Sequence, residues 1–187
     1  MRCDPLLKLL YQFLPPKAYS GLVNRLRDKR LVIDVGGGAG SLGKAIVAQG
    51  VLVEYVVVDP DECLLDLAPR AAWSHLVQGV AEHLPIRDDA PGIAVMHDAL
   101  HHTTEPEKAL REAARSTHCV LVSDIDPGSK TGRIVAFLEK LLRYPAKFLG
   151  PDKVSAILGS EGLRTTIEKG RHGGYVVTGC SDTVPQP

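Results

Sequence analysis

Between Arg30 and Ser123, short apolar runs alternate with stretches whose apolar positions recur every three to four residues. That alternation predicts an α/β domain in which parallel strands are joined by crossover helices. Residues 31–35 predict a first strand, closed by Gly36-Gly37-Gly38, and residues 42–49 a helix with Leu42, Ala45 and Ile46 on one face and Gly50 at its carboxyl end. Residues 53–58 are so rich in valine that a strand there is covered on both faces. Residues 76–80, 93–96 and 119–123 supply three further strands. Thr104-Glu105-Pro106-Glu107 has the form of a capping box with proline in the first turn. After it Ala109, Leu110, Ala113 and Ala114 face the core, and Lys108, Arg111, Glu112 and Arg115 face water.

Beyond the fifth strand, Ile134, Phe137, Leu138, Leu141 and Leu142 mark an amphipathic helix, and Pro151 opens another that ends near Gly159. Residues 163–168 and 174–178 are two strands whose connection is too short for a parallel crossover, so they pair antiparallel. At the amino terminus Leu6, Leu9, Leu10 and Phe13 have helical spacing up to Pro15-Pro16. Lys8 and Gln12 interrupt that run and no small-residue cleavage site follows, so it reads as a structural helix and not a signal sequence. The organisation expected is one domain: a helical cap over 1–29, a core over 30–125, a helical lid over 126–150, and a final helix and antiparallel hairpin over 151–187.

The length of 187 residues leaves no room for a second full domain. With 44% apolar and 24% charged residues and no apolar run long enough to span a bilayer, the chain reads as soluble and cytoplasmic. Its 22 basic residues balance 22 acidic ones, so no overall field holds a polyanion, and nucleic acid is not the expected partner. Cys3, Cys63, Cys119 and Cys180 are widely separated, with no zinc-ligand spacing, and are expected to be reduced thiols.

The segment Ile33-Asp34-Val35-Gly36-Gly37-Gly38-Ala39-Gly40 carries the most chemistry. Glycines between a strand and a helix let the backbone approach a ligand, and the helix start offers free N–H donors. Gly38, Gly40 and Gly43 fit the spacing of a dinucleotide fingerprint, and Asp59 follows Gly40 by about the interval of a ribose-binding acid, which suggests NAD. Asp34 points elsewhere. A carboxylate near the end of an apolar strand is costly to bury, and it suits a cationic ligand such as S-adenosylmethionine.

In these residues the sequence resembles the class I S-adenosylmethionine-dependent methyltransferases, in particular the small-molecule group that includes ubiquinone and menaquinone methyltransferases. The resemblance runs from about Leu31 to Thr117. Residues 33–40 look like the first motif, Val57-Val58-Asp59 like the acidic end of the second strand, residues 81–88 like the adenine-contacting loop, and 98–102 with 105–112 like the exit of the fourth strand and the helix after it. It implies a Rossmann-like, doubly wound seven-stranded sheet in the order 3-2-1-4-5-7-6, with strand 7 antiparallel. It also implies a cofactor site in which Gly36, Gly37 and Gly38 lie under the methionine part, with Asp34 and Gly40 also among the cofactor-binding residues. Asp59, followed by Pro60, would hold the ribose hydroxyls, the backbone at Ala81 and Glu82 would meet adenine, and His97 would lie beside the amino acid end. Two positions depart from the pattern. Val80 stands where many relatives carry an acid for the adenine amine, and Ser116-Thr117-His118 replaces a Pro-Gly-Gly turn.

His97, Asp98, His101 and His102 have the atoms of a metal site, but the resemblance accounts for the paired histidines without a metal. His101 or His102 is the candidate catalytic base, needed only where an acceptor must lose a proton. The function expected is methyl transfer from S-adenosylmethionine to a small, partly apolar acceptor. An NAD(P)-dependent oxidoreductase and a non-catalytic S-adenosylmethionine-binding protein are the rivals.

Overall fold

The computed structural model describes residues 19–141, 146–170 and 173–182. Along the chain come α1 (Ser20–Asn24), β1 (Leu31–Val35), α2 (Ser41–Ala48), β2 (Glu54–Asp59), α3 (Glu62–Leu65), β3 (Ser74–Gln78) and β4 (Ala90–His97). A 3-10 turn (Leu100–His102) follows, then α4 (Pro106–Ser116), β5 (Thr117–Ile125), α5 (Lys130–Leu141), α6 (Pro151–Ser160), β6 (Arg164–Lys169) and β7 (Gly174–Cys180). The seven strands form one sheet in the order β3-β2-β1-β4-β5-β7-β6. β1 to β5 run parallel, and β7 is antiparallel to both β5 and β6.

The strand alternation separates two apolar layers. Val32, Tyr55, Val57, Ile93, Val95 and Leu121 face the side covered by Leu22, Val23 and Leu26 and by α2 through Leu42, Ala45 and Ile46. Ile33, Val58, Ala94, Met96, Val120 and Val122 face α4 and α6, which contribute Ala109, Leu110, Ala113, Val154 and Leu158. Because both faces of the central strands are buried, a one-residue slip in register would exchange the layers, and the pairing is strongly fixed. The carboxyl ends of β1, β2, β4 and β5 therefore open along one edge, where ligands of such sheets bind.

Several expectations change. No side chain caps α4 at Thr104. Its N-cap is Glu105, whose N–H donates to the Glu82 carboxylate at 3.0 Å, so an acid from a distant loop takes the role assigned to the local box. The strand after α4 needs no Pro-Gly-Gly turn, because the helix runs through Ser116 directly into β5 and the Thr117 hydroxyl lies within hydrogen-bond reach of the carbonyls of both Ala113 and Cys119. The expectation of reduced thiols is overturned. Cys119 and Cys180 sit opposite each other in the β5–β7 pairing and form a disulfide, and Cys63 is also disulfide-bonded. Such bonds mark exported proteins and also intracellular proteins of hyperthermophiles, so cysteine usage assigns this chain no compartment. The expected helix at Leu6–Phe13, Cys3 and Leu142 lie outside the described residues.

Candidate functional site

The loop after β1 is shaped by what surrounds it. Gly36 has a positive φ of 73°, its N–H donates to the Val58 carbonyl at 2.7 Å, and a Cβ there would come within 2.8 Å of the Ala99 Cβ. Any side chain at this position would push the exits of β1 and β4 apart. Gly40, left-handed at φ 64°, caps α2, whose first-turn N–H groups open on the carboxyl edge of the sheet.

Asp59 ends β2 beside this loop and is buried. Its Oδ2 accepts the Gly38 N–H at 2.8 Å and its Oδ1 accepts the Asp61 N–H at 2.8 Å. One backbone donor per oxygen leaves each oxygen a further acceptor position, the arrangement a vicinal diol can satisfy. Burial pushes the carboxyl up, and the two N–H bonds pull it back. Pro60 is exposed, with its carbonyl accepting from the Gln78 amide at 3.3 Å.

Asp34 lies behind the loop, only 3% exposed, with the Tyr55 hydroxyl donating to its Oδ2. Burial raises its pKa to about 7, with the Tyr55 bond opposing and Asp59 adding repulsion. Its carboxyl also fills the space a Cβ on Gly37 would need. The sequence singled out Asp34 but not its partner. Tyr55, the one hydroxyl in a run of valines, was the available signal.

At the end of β4, His97 packs edge-on against the Tyr19 ring, with centroids 5.1 Å apart, and its Nε2 lies 3.5 Å from the Asp98 carboxylate. Its Nδ1 is buried and meets no partner among the described residues. Asp98 holds a left-handed φ of 49° and donates its N–H to Ser123, so its carboxylate stays at the surface of the site. On the opposite flank, Val80 is exposed and bridges His83, and Ala81 is buried against the core. The Glu82 side chain is committed to Glu105, which leaves the backbone of this loop to meet a ligand.

His101 is buried at the sheet edge, its Nδ1 2.6 Å from Asp124 Oδ1. Asp124 also accepts the backbone N–H groups of His101 and Ile125. Three donors converge on one buried carboxylate, the imidazole Nδ1–H among them. Phe148 stacks on the His101 ring at 4.6 Å and His102 packs against it at 3.9 Å. His102 is itself pushed down to about 4 by desolvation and by the neighbouring imidazole. Sequence reading missed Asp124. The signal was the one that revealed Asp34, an acid ending an apolar strand.

A cavity of about 900 Å³ opens where these strand ends meet α1. His97, Asp98 and Asp124 line it with Leu22, Tyr175 and Val176, and the Arg25–Glu168 ion pair, 2.6 Å long, also belongs to its wall. The cavity is mixed: polar at the ends of β4 and β5 and at the Arg25–Glu168 pair, with apolar contributions from Leu22, Ile125 and Val176.

Residues 33–118 match the family model described as methyltransferase domain. An uncharacterized methyltransferase of Bacillus subtilis, YcgJ, is 34% identical over 95 residues, 48% of this chain and 37% of that protein. The chain thus spans little more than a third of that relative. The putative methyltransferase that Haloferax volcanii forms in complex with the Trm112 activator superposes with a TM-score of 0.77 at 11% identity, covering 97% of this chain and 99% of that one. Magnesium protoporphyrin IX methyltransferase from Synechocystis, solved with bound SAH, superposes with a TM-score of 0.69 at 16% identity, covering 97% and 90%. At these identities the superpositions show a shared fold.

Proposed function

We propose, from the match of residues 33–118 to a methyltransferase domain, that this chain holds S-adenosylmethionine at the β1–β2–β4 edge and methylates a small, partly apolar acceptor in the adjoining cavity. The observation that carries the reading is Asp59, whose two oxygens, each tied by one backbone N–H, suit a ribose diol. The backbone of Gly36, Gly37, Gly38 and Gly40 then runs along the methionine part, His97 lies beside its amino acid end, and the backbone at Ala81 and Glu82 meets adenine. When bound, S-adenosylmethionine supplies a methyl group already activated on a sulfonium. The protein's task is then to align the acceptor and exclude water, a contribution that reaches about 7–11 kcal/mol in well-oriented reactions.

Calorimetry with S-adenosylmethionine and with NAD, followed by transfer of labelled methyl to a metabolite pool, tests the proposal. Binding of the first and labelled product are expected. Tight NAD binding with no response to S-adenosylmethionine would point to an oxidoreductase, and cofactor binding with no product from any pool to a non-catalytic protein.

For an acceptor that must lose a proton, the candidate base is the His101–Asp124 pair, which meets the cavity through Asp124. His102, pushed down to about 4, is a weak base. Asp124→Asn is therefore expected to lower kcat by about a hundredfold and to displace the pH profile, with S-adenosylmethionine affinity unchanged. Equal kcat in the two proteins would remove His101 from the chemistry.

Val80 is exposed, so Val80→Asp is tolerated and gives the adenine amine an acceptor. Binding should tighten by about 1 kcal/mol relative to an analogue lacking that amine. If the ratio of the two affinities does not move, a backbone carbonyl already serves the amine.

A further inference from the structure

The apolar stripe of α5 is turned to solvent. Ile134, Phe137, Leu138 and Leu141, spaced as one helix face, are between 47% and 68% exposed, whereas Gly132 is buried and Val135 and Ala136 are half-buried on the other side. Among the described residues α5 has no extensive packing partner. A soluble helix with this pattern buries the stripe, and four large apolar side chains in one row form a surface that water does not favour.

The charge of the segment says what covers it. Residues 130–147 carry Lys130, Arg133, Lys140, Arg143 and Lys147 against the single acid Glu139, in a chain whose 22 basic and 22 acidic residues balance only when this segment is counted. Lys130 and Arg133 are exposed one turn ahead of the stripe and pair with no acid among the described residues. Large exposed apolar side chains that include a phenylalanine, on a helix that opens with the exposed bases Lys130 and Arg133, match an interfacial helix on anionic headgroups. We propose that α5 docks this chain on an anionic lipid surface, lying in the interface without crossing the bilayer. Thr131, in the first turn of α5, lines the acceptor cavity, so docking carries that cavity to the lipid. The docking itself does not depend on the methyl-transfer reading.

The test is co-sedimentation of the full chain with vesicles of equal parts phosphatidylglycerol and phosphatidylcholine, against phosphatidylcholine alone. Binding to the anionic vesicles that weakens with salt is expected. Phe137→Glu with Leu141→Glu should reduce the bound fraction at least about tenfold, since two apolar anchors become repelled acids. Lys130→Glu with Arg133→Glu should weaken binding at low salt more than at high salt. Melting temperature and S-adenosylmethionine calorimetry on both variants read folding separately, and these exposed positions should leave both unchanged. Absence of vesicle binding, or equal binding by the Phe137/Leu141 variant, overturns the proposal. So does a wild-type oligomer that this variant dissociates without any vesicle binding, because a second copy would then occupy the face. Vesicle binding by a protein that ignores S-adenosylmethionine would leave the docking in place and remove the proposed function.

Discussion

Asp59→Ala is expected to weaken S-adenosylmethionine binding by more than about 1.5 kcal/mol, beyond tenfold, in a protein that still folds. The substitution removes two things at once. Charge-assisted bonds to the ribose hydroxyls are lost, and so is the acceptor that fixes the Gly38 N–H at 2.8 Å and with it the glycine loop. The sheet does not depend on this side chain, because the β1–β2 pairing runs from Leu31–Glu54 to Val35–Val58 through backbone bonds. Calorimetry on the variant, with a melting curve to confirm folding, reads the effect. An unchanged dissociation constant in a folded variant would mean that the ribose lies elsewhere.

The second large effect concerns pH. Asp34 titrates near 3.8 when unfolded and about 7 when folded, chiefly because burial disfavours its charge. Between those values the folded chain keeps a proton that the unfolded chain has released. The Asp34 contribution to stability is therefore complete below about pH 4, is lost as pH rises through about 7, and is constant above. Asp34→Asn cannot titrate but can still accept from Tyr55. The stability of the variant relative to the parent is expected to rise by on the order of 4 kcal/mol from pH 4 to pH 7. Denaturant unfolding of both proteins across that range measures it, and a difference that stays flat would show Asp34 ionised in the folded protein at every pH. A cationic ligand near the loop favours the ionised form. Cofactor affinity should accordingly increase through the same window in the parent and not in the variant.

The order of elements was legible from the chain because each signal was local. Valine runs buried on both faces, amphipathic helices between them, and a five-residue connection before the last strand left few topologies, and the glycine loop with Asp59 stood out by spacing alone. Candidate ligand groups were likewise visible where a polar residue broke an apolar strand, as Asp34 does. Their partners were not visible. Tyr55 meets Asp34 across a gap of 21 residues, Asp124 meets His101 across 23, and Glu82 replaces the local cap of α4 from 23 residues away. Cys119 and Cys180, 61 residues apart, meet only because β7 inserts antiparallel beside β5. Sequence periodicity also recorded that α5 is amphipathic without recording which side its apolar face turns to. Composition and period act within a few residues and so determined the strands, the helices and the glycine loop. Which buried acid meets which hydroxyl, imidazole or N–H, and which apolar face is left to solvent, depends on contacts between distant segments, and only the tertiary structure decided it.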